Sequence, residues 1–286
     1  MLIPVSLLSS YLYCPRKVFL QRVLNMREPP KPELTIGTIR HAILERYADV
    51  EREVITRIAR SSTRDEIETA ILEAYEPIIR AQMHAHRDDL YAYALDDEAV
   101  YGTAMDSCRD DARFRARLIS EFLKTHDVEH EALYETLTPR IISEKRYSNN
   151  ALGITGIVDR ILVYDNEAIP IELKTGRAPK SGMWPGHRIQ LSAYLLLVST
   201  EHRVTRGSVR YLDTDTDVDL RNTPFIKHEI TRLVEEVRSV LEGTTLPRKV
   251  EMRNKCARCG LREACYSEST VTKAMIERFG ADAVIR

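Results

Sequence analysis

The chain has 286 residues, 42 Lys and Arg against 43 Asp and Glu, a formal net charge of −1, and 43% hydrophobic and 30% charged residues. That length suits one large domain or two modest ones of roughly 100–200 residues, and the composition excludes an intrinsically disordered chain. No apolar run approaches the roughly 18–20 residues that span a bilayer, and the near-zero charge leaves only a local basic groove as a means of holding nucleic-acid phosphates.

Met1 to Tyr13 is apolar but has no basic n-region and no small-residue cleavage site. No signal peptide is therefore predicted, the cytoplasm is the expected compartment, and no membrane partner is expected. Pro4 to Asn25 reads as helical around Ser6-Leu7-Leu8 and is redirected at Cys14-Pro15-Arg16-Lys17; Pro29, Pro30 and Pro32 then form a stiff connector. A helix follows from about Leu34 to Ala59, because Ile36, Ile39, Ile43, Tyr47, Val50, Val54 and Ile58 recur at spacings of three and four.

From Thr63 to about His130 everything reads as helix, with one stripe from Ile67 to Ile79 and another of Phe114, Leu118, Ile119, Phe122 and Leu123. Past Pro139 the period changes to that of strands at Ile141 to Tyr147, Gly153 to Tyr164 and Ile169 to Lys174. Arg188 to Ser199 is helical again, Val204 to Leu212 a strand, and Lys227 to Leu241 an amphipathic helix.

The run Gly156 to Lys174 is a hairpin turning at Asp165-Asn166. In that register Asp159 faces Glu172, with Cβ atoms about 4.5–5.5 Å apart on one face of the sheet, and Lys174 points the same way. Two facing carboxylates among Val158, Ile161, Ile171 and Leu173 repel each other. A hard divalent cation offsets that repulsion, and a lysine beside it would meet a nucleophilic water or a phosphate oxygen. An exposed Asp–Glu–Lys network is the structural alternative; the apolar flanks and the register favour the metal.

Five cysteines are present, Cys14, Cys108, Cys256, Cys259 and Cys265, and an odd number leaves at least one without a disulfide partner in a monomer. Cys256, Cys259 and Cys265 form a compact trio that needs a fourth thiolate from Cys14 or Cys108. A thiolate tetrad holds zinc or an iron–sulfur cluster, and spacing does not separate them.

Several signals lead elsewhere. Asp213 to Asp219 alternates like a calcium loop, but Val218 stands where Gly is needed and Pro224 where Glu is needed, so the segment reads as an acidic edge or turn. His84 and His86 beside Asp88 read as a solvated helix face. No G-x-x-x-x-G-K-[ST] occurs, so no helicase motor is built in. Arg248, Lys249, Arg253, Lys255, Arg258 and Arg262 cluster beside the cysteines, able to contact phosphates or to balance a negative cluster.

Asp159 followed by Glu172-Leu173-Lys174 resembles the D…(D/E)-x-K signature of the restriction-endonuclease-like nucleases, in particular their RecB-like branch. Gly37-Thr38-Ile39-Arg40-His41 is similar to that branch's G-x-x-x-H element, and Gln190-Leu191-Ser192-Ala193-Tyr194 to its Q-x-x-x-Y element. Tyr11-Leu12-Tyr13-Cys14-Pro15-Arg16 with the C-terminal trio resembles the iron–sulfur staple of certain RecB-like nucleases. The whole resembles the CRISPR-associated RecB-like exonucleases of the adaptation machinery.

The resemblance implies an α/β fold: a restriction-endonuclease-like mixed sheet core with flanking helices, a helical insert and an iron–sulfur staple joining the termini. It divides the chain into residues 1–50, N-terminal helices carrying Cys14 and His41; 51–135, the helical insert; 136–245, the nuclease core; and 246–286, the iron–sulfur segment. It implies Mg²⁺ or Mn²⁺ on His41, Asp159, Glu172 and the carbonyl of Leu173, with Lys174, Gln190 and Tyr194 completing the catalytic set and Glu144 as a supporting carboxylate. It implies a [4Fe-4S] cluster on Cys14, Cys256, Cys259 and Cys265, and leaves Cys108 as a buried structural thiol. The expected activity is an exonuclease, with endonuclease action alongside it, on single-stranded DNA ends that trims prespacers beside the CRISPR integrase complex. The alternatives are a RecB-like iron–sulfur nuclease of DNA repair and recombination, a non-catalytic DNA-end-binding adaptor, and a zinc-stapled or electron-transfer protein.

Overall fold

The computed structural model describes residues 1–29, 32–174, 176–250 and 252–281, so Pro30 of the predicted connector lies outside the described residues. The chain divides into two compact units: Met1–Pro29, Arg146–Val158 and Glu167–Arg286 form the first, and Pro30–Lys145 with Asp159–Asn166 form the second.

In the first unit, β1 (Ile3–Pro4) leads into α1 (Val5–Tyr13), which stops at Cys14; α2 (Pro15–Arg22) starts immediately after. Cys14 has an extended backbone, and its thiol accepts a hydrogen bond from Lys17 N at 3.4 Å, so one residue ends a helix and caps the next. Pro15 occupies the first helical position, where a missing N–H removes no hydrogen bond.

Strands β2 (Arg140–Asn149) and β3 (Ile154–Val163) belong to this unit by their Arg146–Asn149 and Ile154–Val158 portions; β4 (Ala168–Lys174), β5 (Arg206–Tyr211) and β6 (Thr216–Arg221) belong to it whole. The sheet order is β1-β3-β4-β5-β6, with β2 also paired to β3. β1 runs parallel to β3 and β4 parallel to β5, whereas β6 is antiparallel to β5, so the sheet is mixed. Residues 164–167 alone join β3 to β4, a connection short enough only for an antiparallel hairpin. The strands end symmetrically about Asp165-Asn166, in keeping with the predicted turn.

The parallel pair β4–β5 requires a crossover, which α8 (Pro185–Val198) supplies. Gly207 on β5 lets that helix lie close: a Cβ there would meet Pro170 O at 2.8 Å and the Leu191 side chain at 2.9 Å. Gly156 on β3 does the same for Tyr194, whose Cε1 would lie 2.8 Å from an added Cβ. α9 (Pro224–Glu242) buries Ile226, Ile230, Leu233, Val234 and Val237, a stripe at helical spacing. α10 (Arg253–Ala257), α11 (Arg262–Tyr266) and α12 (Glu268–Phe279) follow, and Leu261, Val271 and Met275 pack on Phe19, Leu20, Val23 and Leu24.

Two short elements differ from the sequence reading. β1 is too brief to show a period. β6 occupies the stretch read as an acidic edge or turn: Asp215 turns at φ +46°, and then Val218 and Leu220 face the core beside Val209 and Tyr211 while Asp217 and Asp219 face solvent. Arg206 reaches Asp219 at 2.9 Å and Arg210 reaches Asp217 at 2.8 Å, pairing the outward carboxylates across the strands.

The second unit is helical, with α3 (Pro32–Ile55), α4 (Arg64–Ala85), α5 (Arg87–Ala92), α6 (Asp97–Thr125) and α7 (His130–Thr136), plus the parts of β2 and β3 nearest Lys145 and Asp159. α4 starts at a capping box in which Thr63 and Glu66 satisfy each other's backbone N–H. Tyr47 of α3 stacks on Tyr75 of α4 with ring centroids 4.4 Å apart. The buried face of α6 carries Val100, Ala104, Cys108, Ala112, Ala116 and Ile119, and also Asp111 and Arg115. Phe114 and Leu118, read from sequence as part of the inward stripe, are only partly buried, because these two charged residues hold the inward positions. Among the described residues, no helix is long and apolar enough to cross a membrane.

Candidate functional site

Three potential metal ligands converge in the second unit. His41 lies on α3, its ring about half exposed; Glu144 and Asp159 lie on β2 and β3 with side chains only 6% and 7% exposed. His41 Nδ1 is 2.8 Å from Glu144 Oε1 and 3.9 Å from Asp159 Oδ1, and one ligand atom from each of the three residues lies within 4.8 Å of the other two. Imidazole and carboxylate oxygens make a donor set for a divalent cation.

Two observations set this group apart from an ordinary surface cluster. Glu144 is in the middle of a strand, yet its backbone sits at φ +52°, a left-handed conformation costing on the order of 1–3 kcal/mol for a non-glycine residue. That twist belongs to the residue whose carboxylate meets His41. The charge balance is the second. Burial raises the Glu144 carboxyl above the ordinary range, and the Asp159 charge adds to this against the His41 hydrogen bond. The hydrogen bond to Glu144 raises the His41 imidazole in spite of burial. Both shifts favour taking up protons, although the Arg40 guanidinium already places a cation among these charges.

The other predicted catalytic residues lie in the first unit. Glu172 of β4 is 1% exposed and forms an ion pair with Lys174, two residues on and therefore on the same face. Leu173 lies between them with its side chain buried. On α8, Gln190 Nε2 donates to the Tyr194 hydroxyl at 3.0 Å, an i, i+4 pair.

Sequence reasoning missed two residues here. Tyr211 pairs with Lys174 in the β4–β5 register, and its hydroxyl lies 3.1 Å from His187 Nδ1. Burial first, and then the Lys174 charge, push the His187 imidazole down to about 4, so this ring is neutral at pH 7. His187 stands one helical turn before Gln190, and that spacing was the available signal. Tyr211 carried none, because its position depends on the pairing of distant strands.

Cys14, Cys256, Cys259 and Cys265 line one cavity of about 30 Å³ together with Arg16, Lys249, Lys255 and Arg262. Arg16 Nε points at Cys265 Sγ from 3.3 Å. Tyr13 and Lys255 exchange hydrogen bonds across the same cavity, the tyrosine hydroxyl to Lys255 O at 2.7 Å and the ammonium to Tyr13 O at 3.2 Å. Four thiols around a cavity lined by basic side chains, with the Arg16 Nε and the Lys17 backbone N–H donating to two of the sulfurs, suit an anionic metal–sulfur centre.

Cys108 is elsewhere. It is 1% exposed on α6, and burial pushes its thiol up to about 12. In protein stripped of metal at pH 8, four thiols should react with a thiol reagent while Cys108 reacts only after denaturant is added, a count that mass spectrometry of alkylated peptides checks. Alkylation of Cys108 in the native fold would contradict this.

Residues 3–266 match the family described as the PD-(D/E)XK nuclease superfamily. The chain is 27% identical over 151 residues to the CRISPR-associated exonuclease Cas4/endonuclease Cas1 fusion of Leptospira interrogans serogroup Icterohaemorrhagiae serovar Lai (strain 56601), covering 48% of this chain and 28% of that protein. It is 29% identical over 131 residues to the protein of the same name from Myxococcus xanthus (strain DK1622), covering 44% of this chain and 23% of that one. The chain thus spans only about a quarter of these relatives' lengths. The crystal structure of SSO0001 superposes with a TM-score of 0.36 at 20% identity, covering 66% of this chain and 81% of that one.

Proposed function

The chain belongs to the PD-(D/E)XK nuclease superfamily, and on that premise we propose that it is a Mg²⁺- or Mn²⁺-dependent deoxyribonuclease that trims single-stranded DNA ends during CRISPR adaptation. The observation that carries the metal dependence is the convergence of one imidazole and two carboxylates, those of His41, Glu144 and Asp159, within 4.8 Å of one another. By the family signature, His41, Asp159, Glu172 and the Leu173 carbonyl would hold the ion. Glu144 orients His41 through its hydrogen bond to Nδ1.

When bound, the ion supplies a Lewis acid for the scissile phosphodiester. Lys174, steadied by Glu172, orients the attacking water and offsets the charge that builds on the phosphate. Gln190 and Tyr194, tied to each other on α8, orient Lys174 and the strand. His187, neutral at pH 7, places no second cation beside Lys174.

The CRISPR setting rests on the two relatives, each named as a Cas4 exonuclease fused to a Cas1 endonuclease. It implies work beside an integrase on the ends of new spacers. Cys14, Cys256, Cys259 and Cys265 would hold a [4Fe-4S] cluster, and Arg16, Lys249, Lys255 and Arg262, which line the same cavity, would offset its negative charge. A brown protein absorbing near ~400 nm separates this centre from zinc.

The test of function is cleavage of single-stranded and duplex oligonucleotides labelled at either end, with Mn²⁺, with Mg²⁺ and with chelator. Progressive shortening of single strands from one end, dependent on the metal, is the expected result. DNA binding without cleavage under every condition would leave an end-binding adaptor in its place.

A further inference from the structure

We infer that Asp111 and Arg115, buried on α6, are positioning residues that hold the three potential metal ligands in place, and that this is what the helical insert contributes to the site. The inference deepens the metal-centre reading above and rests on it.

Asp111 and Arg115 have side chains 2% and 4% exposed, and every polar atom of both is engaged. Asp111 Oδ2 accepts from the Tyr75 hydroxyl at 2.6 Å and from Arg115 Nε, while its Oδ1 accepts from Arg160. The Arg115 guanidinium gives its Nε to Asp111, one terminal nitrogen to Glu51, and the other to Ser143 Oγ at 3.2 Å. Its plane lies over the Tyr47 ring, 4.7 Å from the centroid, and Arg160 lies over Phe114 at 4.8 Å.

The far ends of this network are what give it direction. Arg160 directly follows Asp159 on β3, Ser143 directly precedes Glu144 on β2, and Tyr47 and Glu51 lie on α3 downstream of His41. The two strands are therefore gripped at the residue next to their ligand, and α3 about two to three turns beyond His41. In an extended strand, neighbouring side chains point to opposite faces, so fixing Arg160 on one face sets how Asp159 is presented on the other. The left-handed backbone of Glu144 comes immediately after the hydroxyl that Arg115 holds.

A role in stability alone does not account for the design. Buried ion networks contribute little net stability, because desolvating each charge costs several kcal/mol and apolar replacements are often as stable. What such a network does provide is a fixed geometry. Only arginine can supply the fork that reaches Asp111, Glu51 and Ser143 at once while stacking on Tyr47.

The experiment is Mn²⁺ binding to the full-length protein, read by electron paramagnetic resonance of free and bound ion. It compares the wild type with Asp111→Asn, Arg115→Lys, Ser143→Ala, His41→Ala and the exposed control Arg113→Ala. Circular dichroism and thermal melting are followed alongside. Asp111→Asn and Arg115→Lys are expected to weaken Mn²⁺ affinity by about 10–100-fold, the range for residues that orient ligands. Ser143→Ala, which removes one hydroxyl and leaves the charges intact, should lose several-fold, and Arg113→Ala nothing. If the charge variants do not fold, Ser143→Ala decides by the same readout. Folded variants that melt earlier yet bind Mn²⁺ as tightly as the wild type would make the network purely structural and overturn the inference. A wild type that binds no Mn²⁺, or a His41→Ala protein that binds it undiminished, would instead remove the metal-centre reading, and this inference with it.

Discussion

Asp159→Ala is expected to abolish DNA cleavage and Mn²⁺ binding together, whereas Lys174→Ala is expected to abolish cleavage and leave Mn²⁺ binding intact. Asp159 lies 3.9 Å from His41 and supplies a carboxylate oxygen to the ligand group, so its loss takes one of the group's two carboxylates. Lys174 is a cation and cannot be a ligand; it acts on the water and the phosphate. Its removal should lower the cleavage rate by about 10²–10⁴-fold, the range for a positioned group that handles a proton or developing charge. Its side chain is 24% exposed at the end of β4, so the fold and the brown colour should survive. Initial rates on an end-labelled single strand, beside Mn²⁺ titrations of both variants, separate the two roles. Cleavage by Lys174→Ala within a factor of about two of wild type would remove the lysine from the mechanism.

Cys14→Ser is expected to bleach the protein and release the C-terminal segment. Cys14 is the one cavity thiol from before residue 250; Tyr13, Arg16, Lys17 and Leu20 line the cavity beside it, and residues between 249 and 266 line the rest. A link between such distant positions removes a large loop entropy from the unfolded chain, about 5 kcal/mol for loops beyond roughly 100 residues in the entropic account. For a chain of this size that corresponds to a melting temperature lower by roughly 8 °C. The second signature is local: Arg248, Lys249 and Arg253 should become early trypsin sites. Part of the interface remains without the sulfur, since Leu261, Val271 and Met275 still pack on Phe19 and Leu20. The variant should therefore fray at this end before it unfolds elsewhere. A Cys14→Ser protein that keeps its absorbance and resists trypsin would exclude this cysteine as a ligand.

Local chemistry made much of this readable from the sequence. The turn at Asp165-Asn166, the helix that carries His41 and the cap at Cys14-Pro15 are all set by residues close in the chain. The features that escaped depend on distant partners or on broken patterns. Asp111 and Arg115 occupy inward positions of α6, and a rule that assigns charge to the solvent side turns that helix by about one residue. Glu144 could be placed on the strand before the hairpin, but its contact with His41 spans 103 residues and depends on a left-handed backbone in a strand, which no propensity predicts. β6 was obscured because four aspartates between residues 213 and 219 dominate a stretch whose Val218 and Leu220 were the better guide.

That last strand has a consequence of its own. β6 ends the sheet, and a free border of this kind invites a strand from another molecule. Asp213, Asp215, Asp217 and Asp219 outnumber Arg206 and Arg210, which answer them, and the exposed Arg221 of β6 by one charge, so the border keeps a slight negative excess. Two copies meeting there would repel, and a phosphate backbone would be turned away. Edge-to-edge stacking of copies is discouraged at low ionic strength. The protection thins as salt shortens the screening distance from about 10 Å at 0.1 M to about 3 Å at 1 M.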